Sequence, residues 1–147
     1  MRLFLLILVL VSFLQAAFLP VNLCLIIILV RSFVVSDRGN YYLAIFTGIL
    51  LGFLAGVNLG FWAVIFLLVV KITTMIRKLP IAANYWTILP YSFLIILLVS
   101  LLQRFLFSES INIYLVLIDT ILVLPMYIAV KLWEERFVVH RGIKLKV

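Results

Sequence analysis

The chain has 147 residues, 68% of them hydrophobic, with a mean hydropathy of +1.40 and a formal net charge of +7. A soluble core of this length cannot hide so much apolar surface, which leaves no room for a soluble catalytic unit and indicates one all-α, polytopic membrane domain over residues 1–147. The basic excess does not mark a nucleic-acid partner, because the charges fall in short connectors, and the lone Cys24 excludes an internal disulfide and a cysteine-built metal site.

The first expected span is Leu3 to Phe18. Met1-Arg2 before it and Gln15-Ala16-Ala17 after it also resemble a signal peptide, whose cleavage would leave the orientation of the rest unchanged. Leu19-Pro20-Val21-Asn22 breaks the run, since proline strips a helix of a hydrogen bond. A second span follows from about Val21 to Val35, with Asn22 expected to cap it and Arg31 expected to snorkel to the headgroups. Ser36 to Asn40 forms a polar turn.

Tyr41 to Arg77 is too long for one crossing of ~20 residues. Asn58 and Gly60 suit a turn, so the stretch divides into a third span, Tyr41 to Val57, and a fourth, Leu59 to Met75. Arg77 to Thr87 reads as a connector along the membrane surface, carrying Tyr85 and Trp86. The fifth span is Ile88 to Phe107 and the sixth Ile111 to Lys131, with Pro125 expected to kink it. Residues 133–147 read as a basic cytoplasmic tail beside anionic lipid.

With six spans and both termini cytoplasmic, eleven of the twelve Lys and Arg residues fall inside and only Arg104 outside. That asymmetry satisfies the positive-inside rule. Merging the third and fourth spans would destroy it, which supports the break at Asn58 independently.

The feature around which the helices are expected to assemble is Gly48, Gly52, Gly56 and Gly60, each four residues after the last. Small residues at that spacing let two helix backbones touch in a membrane. The row is expected to be a packing or partner face, with docking to a partner slightly favoured over internal packing.

Asp119 is the only acid in the middle of a span, so it should face a partner helix or water. It reads as hydrogen-bonded glue between helices, with a proton or ligand site as the alternative. Arg104 and Glu109 flank an outer turn and could pair weakly. His140 stands alone in a basic tail. No nucleotide loop, zinc motif or catalytic triad pattern is present, and no cofactor is expected.

The order of these features resembles the MreD family of rod-shape-determining membrane proteins. Pro20-Val21-Asn22-Leu23 is similar to the family's element opening the second span. Gly52-Phe53-Leu54-Ala55-Gly56 is similar to its third-span element, Leu59-Gly60 to the pair opening the next span, and Pro125 to a late proline. The family's longer, aspartate-containing link after the second glycine is nearly missing here, with Asn58 its nearest stand-in. The resemblance implies a non-enzymatic scaffold in the bacterial cytoplasmic membrane. Its partners would be an MreC-like bitopic protein, other cell-wall elongation components and the lipid bilayer. The family's fold is similar to the vitamin-binding S-components of energy-coupling-factor transporters, which supplies the alternative of a small-molecule-binding transporter subunit.

Overall fold

The computed structural model describes residues 2–18, 21–35, 37–56, 59–78, 85–107 and 112–137. These form six helices: α1 (Arg2–Phe18), α2 (Leu23–Val34), α3 (Gly39–Leu54), α4 (Leu59–Arg77), α5 (Tyr85–Phe107) and α6 (Ile113–Phe137). Three of them, α4, α5 and α6, are long and apolar enough to cross a membrane, whereas α1, α2 and α3 are shorter apolar helices.

The shortest helix is the centre. α2 has 12 residues, and every position from Cys24 to Phe33 is buried. It lies against α1, α3, α4 and α6 at once. An apolar helix of this length, about 18 Å from the helical rise, falls well short of ~30 Å of hydrocarbon and behaves as a buried core element. The continuous run Leu23-Cys24-Leu25-Ile26-Ile27-Ile28-Leu29-Val30 has no polar face to offer water, which is why it takes the interior.

Around it the helix directions follow from specific contacts. Ser12 meets Cys24 and Phe4 meets Arg31, so α1 and α2 are antiparallel. Gly48 meets Ala63 and Tyr41 meets Thr74, so α3 and α4 are antiparallel, and theirs is the most extensive helix–helix contact. Asn22 meets Asp119 and Arg31 meets Glu134, so α2 and α6 run in the same direction. α5 packs mainly on α6 through a stripe of Ile88, Ser92, Ile95, Ile96 and Val99, the three- and four-residue spacing of one helix face.

Several boundaries differ from expectation for identifiable reasons. α3 ends at Leu54 because Gly56 takes a left-handed φ of 65°, the usual device for stopping a helix. The Ala55 N–H donates to the Leu51 carbonyl at 2.8 Å in the same terminating turn. α5 starts three residues early, at Tyr85, so Tyr85 to Thr87 are helical and not connector. α6 starts after Asn112, whose side-chain oxygen accepts the Tyr114 N–H at 3.1 Å as a true cap. It then runs on to Phe137, so residues 133–137, expected to open a separate tail, are the last turn and a half of α6. Residues 138–147, with His140, lie outside the described residues, as do Pro20, Asn58, Pro80, Ser108 and Glu109.

Candidate functional site

Most hydroxyls of the interior are used up locally. Ser12, Ser32, Thr47, Thr73 and Thr120 each donate to the carbonyl four residues earlier in their own helix. Such bonds satisfy the hydroxyl within its own helix, although Ser12 Oγ also lies 3.2 Å from Cys24 Sγ on α2. The polar chemistry between helices is therefore concentrated at the two ends of α2.

At its C-terminal end sits Arg31, 7% exposed. It does not snorkel. Its Nη1 donates to Asn40 Oδ1 on α3, and Asn40 Nδ2 in turn donates to the Val35 carbonyl at 2.6 Å. Arg31 Nε stands 3.5 Å from Glu134 Oε1 on α6. That is a charge contact without hydrogen-bond alignment, since Nε has no formed hydrogen bond. The guanidinium also lies 4.8 Å from the centroid of the Phe4 ring on α1, a cation–π distance. Four helices thus converge on one side chain. The reason is energetic: α2 is too short to carry Arg31 to the headgroups, so the charge must be matched inside. Its position in the last turn of α2 also complements the helix dipole.

At the N-terminal end the matching is different. Asn22 is the residue before α2, but its side chain makes no capping bond, contrary to the expected role. Gln15 on α1 does that work from outside the helix, its Oε1 accepting the Cys24 N–H at 2.9 Å. Gln15 Nε2 donates to Asn22 Oδ1 at 3.4 Å. Asn22 in turn lies against Asp119 on α6. Asp119 is 2% exposed, and its Oδ1 finds no hydrogen-bond partner among the described residues. Ser12 Oγ and Cys24 Sγ lie 3.2 Å apart just beneath. A carboxylate at the N-terminus of a buried helix is favourably placed against the helix dipole and the unpaired N–H groups there.

The glycines divide between elements. A Cβ on Gly48 would land on the backbone of Ala63 and 2.7 Å from the Trp62 carbonyl carbon, so Gly48 sets the spacing of α3 on α4. Gly52 is buried in the same helix. Gly56 lies past the end of α3, and a Cβ on it or on Gly60 would meet nothing within 4 Å. The row is therefore not one continuous face within the molecule: its first half is an internal contact, its third member a helix stop, and its fourth an open position in the first turn of α4.

Sequence reasoning found Asp119, Asn22 and Gly48 but missed Gln15, Asn40 and Glu134. A signal for Glu134 was available. Val116, Asp119, Thr120, Val123 and Val130 form a three- and four-residue stripe along the face of α6, and Glu134 is its next member. No signal pointed to Gln15 or Asn40, whose roles depend on how the hairpins close. Among the described residues, no group of three His, Cys, Asp or Glu could hold a metal ion.

These features define an all-α protein with helices able to cross a membrane and a buried central helix held at both ends. No protein-family model, curated protein or solved structure matches the chain.

Proposed function

We propose that this chain is a non-enzymatic scaffold of the bacterial cytoplasmic membrane, similar in role to MreD. It would bind an MreC-like bitopic protein and help couple a cytoplasmic shape-determining filament to cell-wall synthesis. The observation that carries the reading is the ordered set of MreD-like elements: Pro20-Val21-Asn22-Leu23, Gly52 to Gly56, Leu59-Gly60 and Pro125. The interior agrees with a static role, because Arg31, Asn40 and Glu134 hold helices to one another.

The proposal includes six crossings with both termini cytoplasmic. The antiparallel α1–α2 and α3–α4 pairs and the like direction of α2 and α6 suit six alternating crossings, in which the 12-residue α2 would cross surrounded by other helices and not by lipid. Reporter fusions at Pro20, Asn58 and Ser108 should read outside, and those at Gly39, Pro80 and Val147 inside. The role itself is tested by co-expression with an MreC-like protein and recovery from solubilised membranes. Recovery of that partner, with loss of rod shape on depletion of this chain, is the expected result. Failure of both ends the proposal.

One observation favours the transporter-subunit alternative: Asp119 has an unmatched oxygen inside a polar group near one end of α2. Under that reading the chain would co-purify with transporter ATPase subunits and bind a vitamin-sized ligand.

A further inference from the structure

Four basic side chains differ from Arg31 and Lys131, which are met by Glu134 and Glu135 on α6. Arg38, Lys71, Arg77 and Lys78 are all exposed, and no carboxylate lies within ion-pair distance of any of them among the described residues. They belong to the start of α3 and the end of α4, which antiparallel packing brings to one corner of the bundle. The contact that joins the two helices there is Tyr41 Oη to Thr74 Oγ1, at 3.5 Å.

Helical spacing arranges the charges around that contact. On α4, Lys71, Thr74 and Lys78 follow at three- and four-residue steps, so the two lysines flank Thr74 on one face. On α3, Arg38 stands three residues before Tyr41 on the same face. Asp37, exposed beside Arg38 in the chain, is the one acid in residues 37–42 and 71–78, so four positive charges stand against one negative. The Thr74 hydroxyl donates to the Lys71 carbonyl at 2.8 Å. The exposed Tyr41 hydroxyl therefore holds its own proton only in the long contact with Thr74 and can donate it elsewhere.

Toward the middle of the helices the same two faces become apolar. Ile45 lies four residues on from Tyr41, Leu68 lies three residues before Lys71, and both are exposed. Lys71 stands about 9 Å short of the end of α4 by the helical rise, in a helix long and apolar enough to cross a membrane. An ammonium at that depth, with no acid supplied by the protein, needs an anion at the headgroup level within reach of its stem.

We propose that this corner binds the headgroup of one anionic phospholipid, its phosphate held by Lys71, Lys78 and Arg38 around the Tyr41 hydroxyl and its acyl chains lying along Ile45 and Leu68. The order of the surface, basic at the helix ends and apolar further in, is the order of such a lipid. Ammonium, guanidinium and phenol groups are the donors a phosphate takes. The leaflet is its source, because the charged faces run without a break into lipid-facing apolar ones.

The test uses the full chain purified in detergent, with thermal unfolding followed by tryptophan fluorescence. Phosphatidylglycerol, phosphatidylcholine or inorganic phosphate is added at constant ionic strength. Phosphatidylglycerol should raise Tm to a plateau, and the other two should not. Lys71→Gln should need about fivefold more phosphatidylglycerol for the same rise, equivalent to ~1 kcal/mol. Arg104→Gln, which removes one exposed charge from α5, outside the corner, should titrate like wild type. An equal rise with phosphatidylcholine or with inorganic phosphate alone, or an Arg104→Gln shift as large as that of Lys71→Gln, would overturn the proposal. Should Lys71→Gln be recovered too poorly, Lys78→Gln is read in the same way, and an unshifted titration in the variant used overturns the proposal equally.

Discussion

The two ends of α2 solve the same problem with different chemistry. At the C-terminal end a cation is met by an anion, an amide and an aromatic ring from three other helices. At the N-terminal end Asp119 faces Asn22, and one carboxylate oxygen has no hydrogen-bond partner among the described residues. α6 supplies the acid at both ends, so one helix face clasps the buried helix twice. The difference teaches that burial by itself does not set the cost of a polar group; what matters is whether the partner carries the opposite charge. The end closed by a full charge should be the more damaging to open, and the end closed by dipoles the more forgiving.

The largest effect is therefore expected from Glu134→Leu or Arg31→Leu. Either leaves an uncompensated buried charge, a loss of about 3–5 kcal/mol, read as a fall in folded protein in membranes and in Tm. Arg31→Met combined with Glu134→Leu should cost clearly less than the sum of the single changes. Strict additivity in that cycle would mean the two residues do not act as a pair. At the opposite end, Asp119→Leu leaves Asn22 facing an apolar side chain and should cost about 1–3 kcal/mol. A loss as large as that of Glu134→Leu would erase the distinction between the ends.

A lesion remote from both ends calibrates these numbers. Gly48→Leu drives a side chain into the α4 backbone and should cost about 1–3 kcal/mol by overpacking, with Gly48→Ala already harmful. Gly60→Ala, which meets open space, should leave Tm unchanged. Equal effects at the two glycines would show that the α3–α4 contact is not where Gly48 acts. The smallest measurable change is expected from Gln15→Ala, which removes the acceptor for the Cys24 N–H, at about 1 kcal/mol. Cys24 amide exchange should accelerate selectively in that variant.

Much of the helix order was legible because apolar runs and their breaks are local signals. All six helices lie close to where hydropathy, Pro20, Asn58 and the charged turns place them. The organising element was not legible. A four-residue glycine spacing is conspicuous in sequence, but Gly56 lies in a terminating turn, so the face it implied ends before its third member. Conversely, α2 is a plain run of leucine, isoleucine and valine, and nothing local distinguishes a helix in the middle of a bundle from one facing lipid. Arg31 was expected to reach the surface because side-chain length was weighed without the length of its helix. Asp119 was recognised as needing a partner, but Asn22 lies far away in the chain and only the closed bundle brings them together.

The buried position of α2 has a consequence for the order in which the protein can be made. α2 is made well before α6, which completes it, because Asp119 and Glu134 both lie on α6. Synthesis proceeds at roughly 5–20 residues per second. Through most of translation, Arg31 and the start of α2 must therefore persist without those acids, and α2 is too short to settle alone as a bilayer-spanning helix. Ribosome-bound chains halted before Ile113 should accordingly be open to membrane proteases at α2, while chains extended past Phe137 and clear of the exit tunnel should be protected.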